Sequence, residues 1–242
     1  MKRNRHIIIA LKLRAVHAAL FMLLTALTAC PQAISAQKAA PTKTELSIER
    51  QGMIKICDVD STILVSLMYT RADNFTGKIL YTDLHTAYLH PKAAHALKRA
   101  QQILRRTNPK LTLKVYDAAR PMSVQQKMWN TVAGTKKEIY VSNPAHGGGL
   151  HNYGMAVDIT IADENGDSIT MGTRIDNMTA TAHIDKEEEL VRTQKLTRKA
   201  MNNRRLLRRV MTEAGFHTLR SEWWHFNYTS RANAKKYYKV IK

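Results

Sequence analysis

A histidine and an aspartate stand seven residues apart in Gly149-Leu150-His151-Asn152-Tyr153-Gly154-Met155-Ala156-Val157-Asp158. For both side chains to reach one point, the chain has to turn at Gly154 and run extended after it. Ala156 to Ile161 has the apolar, β-branched character of a buried strand, so the segment predicts a turn followed by a strand. Further along, Ser221-Glu222-Trp223-Trp224-His225-Phe226 sets an acid three residues before a second histidine, in a stretch that is aromatic and strand-like up to Tyr228. Upstream, Leu111, Leu113 and Val115 alternate with Thr112 and Lys114 at strand spacing, and Asp117-Ala118-Ala119-Arg120-Pro121 comes directly after.

Helical signals fall between these strands. Pro91 suits a first helical turn, and Ala93, Leu97, Ala100 and Leu104 make an inward stripe that Asn108-Pro109 stops. A second helix is expected after Pro121, with Val124, Met128 and Val132 inward and Gly134 at its end. A third spans Thr197 to Ala214 and is closed by Gly215. Its apolar stripe, which includes Leu196, Ala200, Leu207, Val210 and Met211, predicts that the basic residues from Arg192 to Arg209 form a solvated outer face. Helices and strands alternate without a regular βαβ rhythm, which points to one compact α+β domain. The 242 residues, 44% of them hydrophobic, suffice for one sizeable core.

The first 36 residues stand apart. Lys2, Arg3, Arg5, Lys12 and Arg14 precede an apolar run from Ala15 to Leu27, the layout of a secretory signal. Leu27-Thr28-Ala29-Cys30 resembles a bacterial lipobox, whose cysteine would carry lipid and anchor the chain to a membrane; cleavage near Ala36 is the other exit. Either route takes the protein to the periplasm or envelope. Residues 37–50 are expected to be a tether, leaving 51–242 as the domain. Cys57 then has no partner, so neither a disulfide nor a thiolate metal site is expected, and Cys57 is read as a buried small hydrophobe.

The formal charge is +19, and the leader holds five basic residues and no acid. The mature chain therefore keeps 33 basic against 19 acidic residues, or +14. An anionic wall or envelope polymer suits such a charge on an exported protein. No nucleic-acid-binding signature accompanies it, so nucleic acid is not an expected partner.

Amide hydrolysis at a catalytic zinc uses three His, Asp or Glu ligands with one open position, a non-ligating carboxylate as base, and a fixed positive group at the oxyanion. One candidate exists for each post: His151, Asp158 and His225 for the metal, Glu222 for the base, Arg120 for the oxyanion. The tryptophans beside Glu222 would form an apolar wall that raises its pKa. Tyr153 could line the pocket or pack, and Asp117 could orient Arg120 or cap a turn. His85, His90, His95, His183 and His217 read as surface or capping residues, and His146 lies close enough to the glycine run to face the site.

These segments resemble the zinc D-alanyl-D-alanine dipeptidase family, which includes the vancomycin-resistance dipeptidases, within the zinc D,D-carboxypeptidases. The family pattern is roughly S-x-H-x-x-G-x-A-x-D, then E-W-W-H, with an arginine-proline pair upstream. His151, Gly154, Ala156 and Asp158 keep that register, as do Glu222-Trp223-Trp224-His225 and Arg120-Pro121. Asp73-Asn74-Phe75-Thr76-Gly77, Tyr116-Asp117-Ala118-Ala119-Arg120-Pro121 and Met171-Gly172-Thr173 extend the likeness to about residues 55–228. The resemblance implies a central antiparallel sheet flanked by helices, one Zn2+ per chain and hydrolysis of D-Ala-D-Ala to free D-alanine. It also implies ligands His151, Asp158 and His225, base Glu222, and Arg120 as the carbonyl-polarising residue. Asp117, Tyr153 and Gly149 are the expected substrate-binding neighbours. Gly149 is a departure, standing where the family has a serine whose neighbourhood helps hold the substrate carboxylate. Altered carboxylate recognition and a wider mouth for longer peptidoglycan peptides are the expectation from it. A D,D-carboxypeptidase or endopeptidase, a non-catalytic zinc-binding envelope protein, and a basic adhesion protein are the competing readings.

Overall fold

The computed structural model describes residues 40–242; the leader, with Cys30 and both expected processing points, lies outside the described residues. Thr42 caps the first helix, α1 (Lys43–Arg50), by accepting from the Glu45 backbone at 3.1 Å, and the Glu45 carboxylate in turn accepts from Thr42 N. Glu45 is buried and also accepts from His85 N at 3.0 Å, while Ile48 is fully enclosed in the core. Residues 43–50 therefore belong to the domain and do not form the expected tether. One reciprocal cap and one apolar anchor fix a helix that polar composition hides.

Next come β1 (Ile54–Lys55), α2 (Ile56–Val59), β2 (Leu64–Val65) and β3 (Tyr88–Leu89). Cys57 is half-buried and not the enclosed hydrophobe expected, because α2 is a single turn whose inward residue is Ile56. Helix α3 (Pro91–Thr107) has Pro91 at its first position and His90 as cap. Its stripe of Ala93, Leu97, Ala100 and Leu104 is wholly buried, each leucine contributing roughly 1.5–3 kcal/mol. Gln101 on the same face is enclosed as well. It satisfies itself by donating to Thr112 Oγ1 (2.7 Å) and accepting from Leu113 N (2.9 Å).

The remaining elements are β4 (Thr112–Asp117), α4 (Met122–Val132), β5 (Ala156–Ala162), α5 (Glu187–Arg192), α6 (Arg198–Glu213), β6 (His217–Leu219), β7 (Glu222–Asn227) and α7 (Arg231–Tyr237). Five strands form one sheet in the order β2-β4-β5-β7-β6, parallel between β2 and β4 and antiparallel elsewhere; β1 and β3 make a separate antiparallel pair. The domain is thus α+β, as expected. Every residue of β5 is buried, with α3 and α6 packed on each other and against the sheet. Among the described residues, no helix is long and apolar enough to cross a membrane.

One expectation about α6 fails. Arg204 is only 1% exposed, not solvated: its Nε donates to Met171 O at 2.6 Å and both terminal nitrogens reach Thr181 O at 3.1 Å. Its guanidinium also lies 5.7 Å from the centre of a Trp223 ring. Position 204 falls on the inward stripe between Ala200 and Leu207, and carbonyls of the 171–181 segment supply the acceptors that permit a buried cation there.

Candidate metal centre

Two strand pairings assemble the site. In the β5–β7 register Asp158 faces His225 directly, so two residues 67 positions apart become cross-strand neighbours. In the β4–β5 register a shift between Val115 and Asp117 brings Asp117 opposite Asp158.

His151 comes from a tight turn, Leu150–Tyr153, that Gly154 closes at φ 63°. Only glycine fits there. A Cβ would meet Met53 Sδ at 2.5 Å and His90 N at 2.9 Å, and His90 N itself donates to Gly154 O. The turn is pinned from several sides: Arg120 N donates to His151 O at 3.0 Å, Asn152 Nδ2 to Arg120 O at 2.9 Å, and Ile241 N to Asn152 O at 2.7 Å. His151 Nδ1 lies 2.8 Å from Ala118 O, a contact that makes Nδ1 the donor and leaves Nε2 as the free ligand atom.

His151 Nε2, His225 Nδ1 and Asp158 Oδ1 form a triangle with edges of 3.3, 3.3 and 3.0 Å. Ligand bonds of about 2.0–2.1 Å in a tetrahedron imply edges of about 3.3 Å, so this donor set fits a zinc-sized ion with one vertex left over. His225 Nε2 lies 2.8 Å from Asn227 Oδ1, which orients the second imidazole as the Ala118 carbonyl orients the first. Burial alone would raise the Asp158 pKa, but the charge and hydrogen bonds of His151, then those of His225, hold the carboxyl well below the usual range.

Arg120 is buried and tightly held. Its Nε and one terminal nitrogen bond Asp117 Oδ2, the other terminal nitrogen donates to Gln125 Oε1 at 2.9 Å, and the guanidinium stands 3.8 Å from Asp158 Oδ2. Asp117 has no exposure and takes a further bond from Tyr81 OH at 2.5 Å. It therefore orients Arg120; it does not cap a turn. Burial works against the charged guanidinium, yet the Asp117 carboxylate outweighs it and holds the pKa well above its ordinary value.

Glu222, the first residue of β7, lines the same cavity, and its carboxylate makes no hydrogen bond among the described residues. Burial pushes its pKa up to about 7, with His225 opposing. Only one of the two tryptophans forms the wall beside it: Trp224 lines the cavity, while Trp223 donates to Thr173 Oγ1 at 2.7 Å beneath Arg204. Tyr153 is buried and donates to Gly147 O at 3.0 Å, away from the cavity lining. Gly149 does line the cavity, but its missing side chain leaves no extra room. Ser142 Oγ lies 2.8 Å from where a Cβ would stand, so the neighbouring serine fills that space and the mouth is not widened there.

The cavity measures about 500 Å³ and includes residues that sequence patterns did not single out. Asp176 adopts φ 63°, uncommon for a non-glycine, and accepts from Tyr69 OH at 3.1–3.2 Å. Its burial raises the pKa to about 7, aided by Asp158. Gln125 bridges Arg120 to Ser142 O, donating at 2.8 Å, and so ties the polarising residue to the cavity wall. Nothing local marks Asp176 or Gln125; each acquires its place through chain closure. His217 is exposed, as expected, and also lines the cavity.

Comparison with known proteins agrees with this constellation. A family model described as D-ala-D-ala dipeptidase matches residues 49–242. A D-alanyl-D-alanine dipeptidase of Escherichia coli K12 is 32% identical over 169 residues, covering 70% of this chain and 80% of its own. One from Synechocystis is 29% identical over 163 residues, covering 54% and 65%, and one from Enterococcus faecalis is 30% identical over 77 residues, covering 31% and 35%. A pinned His–Asp–His triangle, an unpaired carboxylate and a buried arginine thus occur in a chain matched over nearly all its described length: it belongs to the D-Ala-D-Ala dipeptidase family of peptidases.

Proposed function

We propose that the protein is a zinc-dependent dipeptidase of the cell envelope that hydrolyses D-alanyl-D-alanine to two molecules of D-alanine. The donor triangle of 3.0–3.3 Å with unpaired Glu222 in the same cavity carries this reading. When bound, zinc would polarise the scissile carbonyl and lower the pKa of a water at its open position. Glu222 accepts the proton of the attacking water and returns it to the leaving nitrogen, a two-way role suited to a carboxyl whose pKa of about 7 lies near neutrality. Arg120 stays charged and is fixed by Asp117 and Gln125, so it can meet the developing oxyanion without reorganising. Asp176, steadied by Tyr69, offers a carboxylate to the dipeptide's ammonium group. Met128, Leu150 and Trp224 line the walls and limit competing water. Export rests on the sequence of residues 1–36, and lipid attachment on Cys30 alone.

The test is amino-acid analysis of products from D-Ala-D-Ala and from longer wall peptides ending in it, with zinc-replete protein. Free D-alanine from the dipeptide supports the proposal. Cleavage confined to the longer peptides would replace it with a D,D-carboxypeptidase or endopeptidase, and cleavage of neither would leave a zinc-binding protein without catalysis.

A further inference from the structure

Two guanidinium groups line the cavity. Arg120 is committed to Asp117, Gln125 and the face of Tyr69. Arg231 is not. Its one hydrogen bond is a donation to the His146 carbonyl at 3.1 Å, and among the described residues no carboxylate pairs with it. That bond fixes the direction of the side chain and leaves the rest of its donor fork for a ligand.

The position of Arg231 along the cavity gives the ligand its chemistry. Glu222, His225, Asn227, Thr229, Ser230 and Arg231 succeed one another along a single wall. The strand ends at Asn227, and after residues 228–230 Arg231 opens α7 on the lining of the same cavity. Glu222 and Asp176, whose charges couple to each other, give the cavity its free acids, and Arg231 gives it a cation that no carboxylate pairs with among the described residues. A zwitterionic peptide held in this cavity meets charge complementary to both of its termini. Gly149, which also lines the cavity, has no side chain, and its backbone N–H is already given to Asn152 Oδ1 at 2.8 Å.

We infer that Arg231 is a specificity-determining residue that binds the carboxylate on the C-terminal side of the scissile bond. This rests on the peptidase reading above. Arginine meets a carboxylate through two parallel N–H···O bonds, a match that neither an amide nor an ester offers.

The test is calorimetry on zinc-loaded Glu222→Ala protein, which lacks the base and so binds without turnover. D-alanyl-D-alanine and its C-terminal amide are titrated with Arg231 intact, as Arg231→Ala and as Arg231→Lys. The intact protein is expected to prefer the free acid about tenfold, Arg231→Ala to bind acid and amide alike, and Arg231→Lys to recover part of the preference. An acid preference that survives Arg231→Ala, or none in the intact protein, would overturn the inference while leaving the peptidase reading standing. No binding of either compound to the intact protein would overturn both.

Discussion

Gly154→Ala tests how the fold delivers His151. The new Cβ meets two obstacles beyond the backbone itself. Holding a non-glycine residue at φ 63° costs about 1–2 kcal/mol. Contact with Met53 Sδ at 2.5 Å can be relieved by moving a flexible side chain, but contact with His90 N at 2.9 Å involves backbone that also donates to Gly154 O. Overpacking of this kind adds roughly 1–3 kcal/mol. The total of about 2–5 kcal/mol should lower Tm by roughly 5–15 °C in a domain of this size. Gly134→Ala is the control, because its φ is 77° yet nothing lies within 4 Å of the added Cβ. It carries the backbone cost alone and should lose only about 3–6 °C. Differential scanning calorimetry of both variants in chelator measures the difference, and zinc titration of each reports whether the turn still presents Nε2. Equal losses in the two variants would refute the steric argument, and intact zinc affinity in a strongly destabilised Gly154→Ala protein would refute the link from turn to ligand.

Other expectations rest on the same geometry. Glu222→Gln should reduce kcat by about 10²–10⁴-fold with one zinc per chain retained by elemental analysis; near-normal turnover would remove Glu222 from its role. Asp117→Ala strands the buried Arg120 charge and should cost roughly 3–5 kcal/mol in denaturant unfolding, whereas Arg71→Ala, at an exposed pair with Asp73, should cost under about 1 kcal/mol. In chelator, stability should fall as pH rises. Glu222 and Asp176 have folded-state pKa values of about 7 against ordinary values of 4.5 and 3.8, so the folded state holds these protons more tightly. The associated stability is complete below about pH 4 and lost by about pH 7, on the order of 3 kcal/mol for Glu222 and 4 kcal/mol for Asp176. A Tm flat between pH 4 and 7, or unchanged by Glu222→Gln with Asp176→Asn, would contradict that assignment.

How much was legible beforehand depended on whether the cause was local. Pro91, Gly134 and Gly154 act on their own backbone, and Ala93, Leu97, Ala100 and Leu104 repeat at helical spacing, so these elements could be read directly. His151, Asp158 and His225 were legible as a set because turn, strand and aromatic strand each carried their own signal. Arg204 was not. Amphipathic spacing put it inside and charge put it outside, and the Met171 and Thr181 carbonyls that decided the matter arrive from a distant segment. Asp176 and Gln125 failed for a related reason: each is one common polar residue in an unremarkable stretch, and its meaning comes from facing Tyr69 or Arg120 after closure. Residues 43–50 were obscured differently, since a helix held by one cap and by Ile48 has little apolar surface to advertise.

The central claim is metal-dependent hydrolysis of D-alanyl-D-alanine at the His151–Asp158–His225 triangle. Release of D-alanine by the purified protein, measured in chelator and again after zinc is restored, tests it most directly. The geometry predicts release that stops in chelator, returns with zinc, and is absent in His225→Ala protein that no longer retains the metal. Release that persists undiminished in chelator, or a zinc-replete protein that frees no D-alanine, would contradict it.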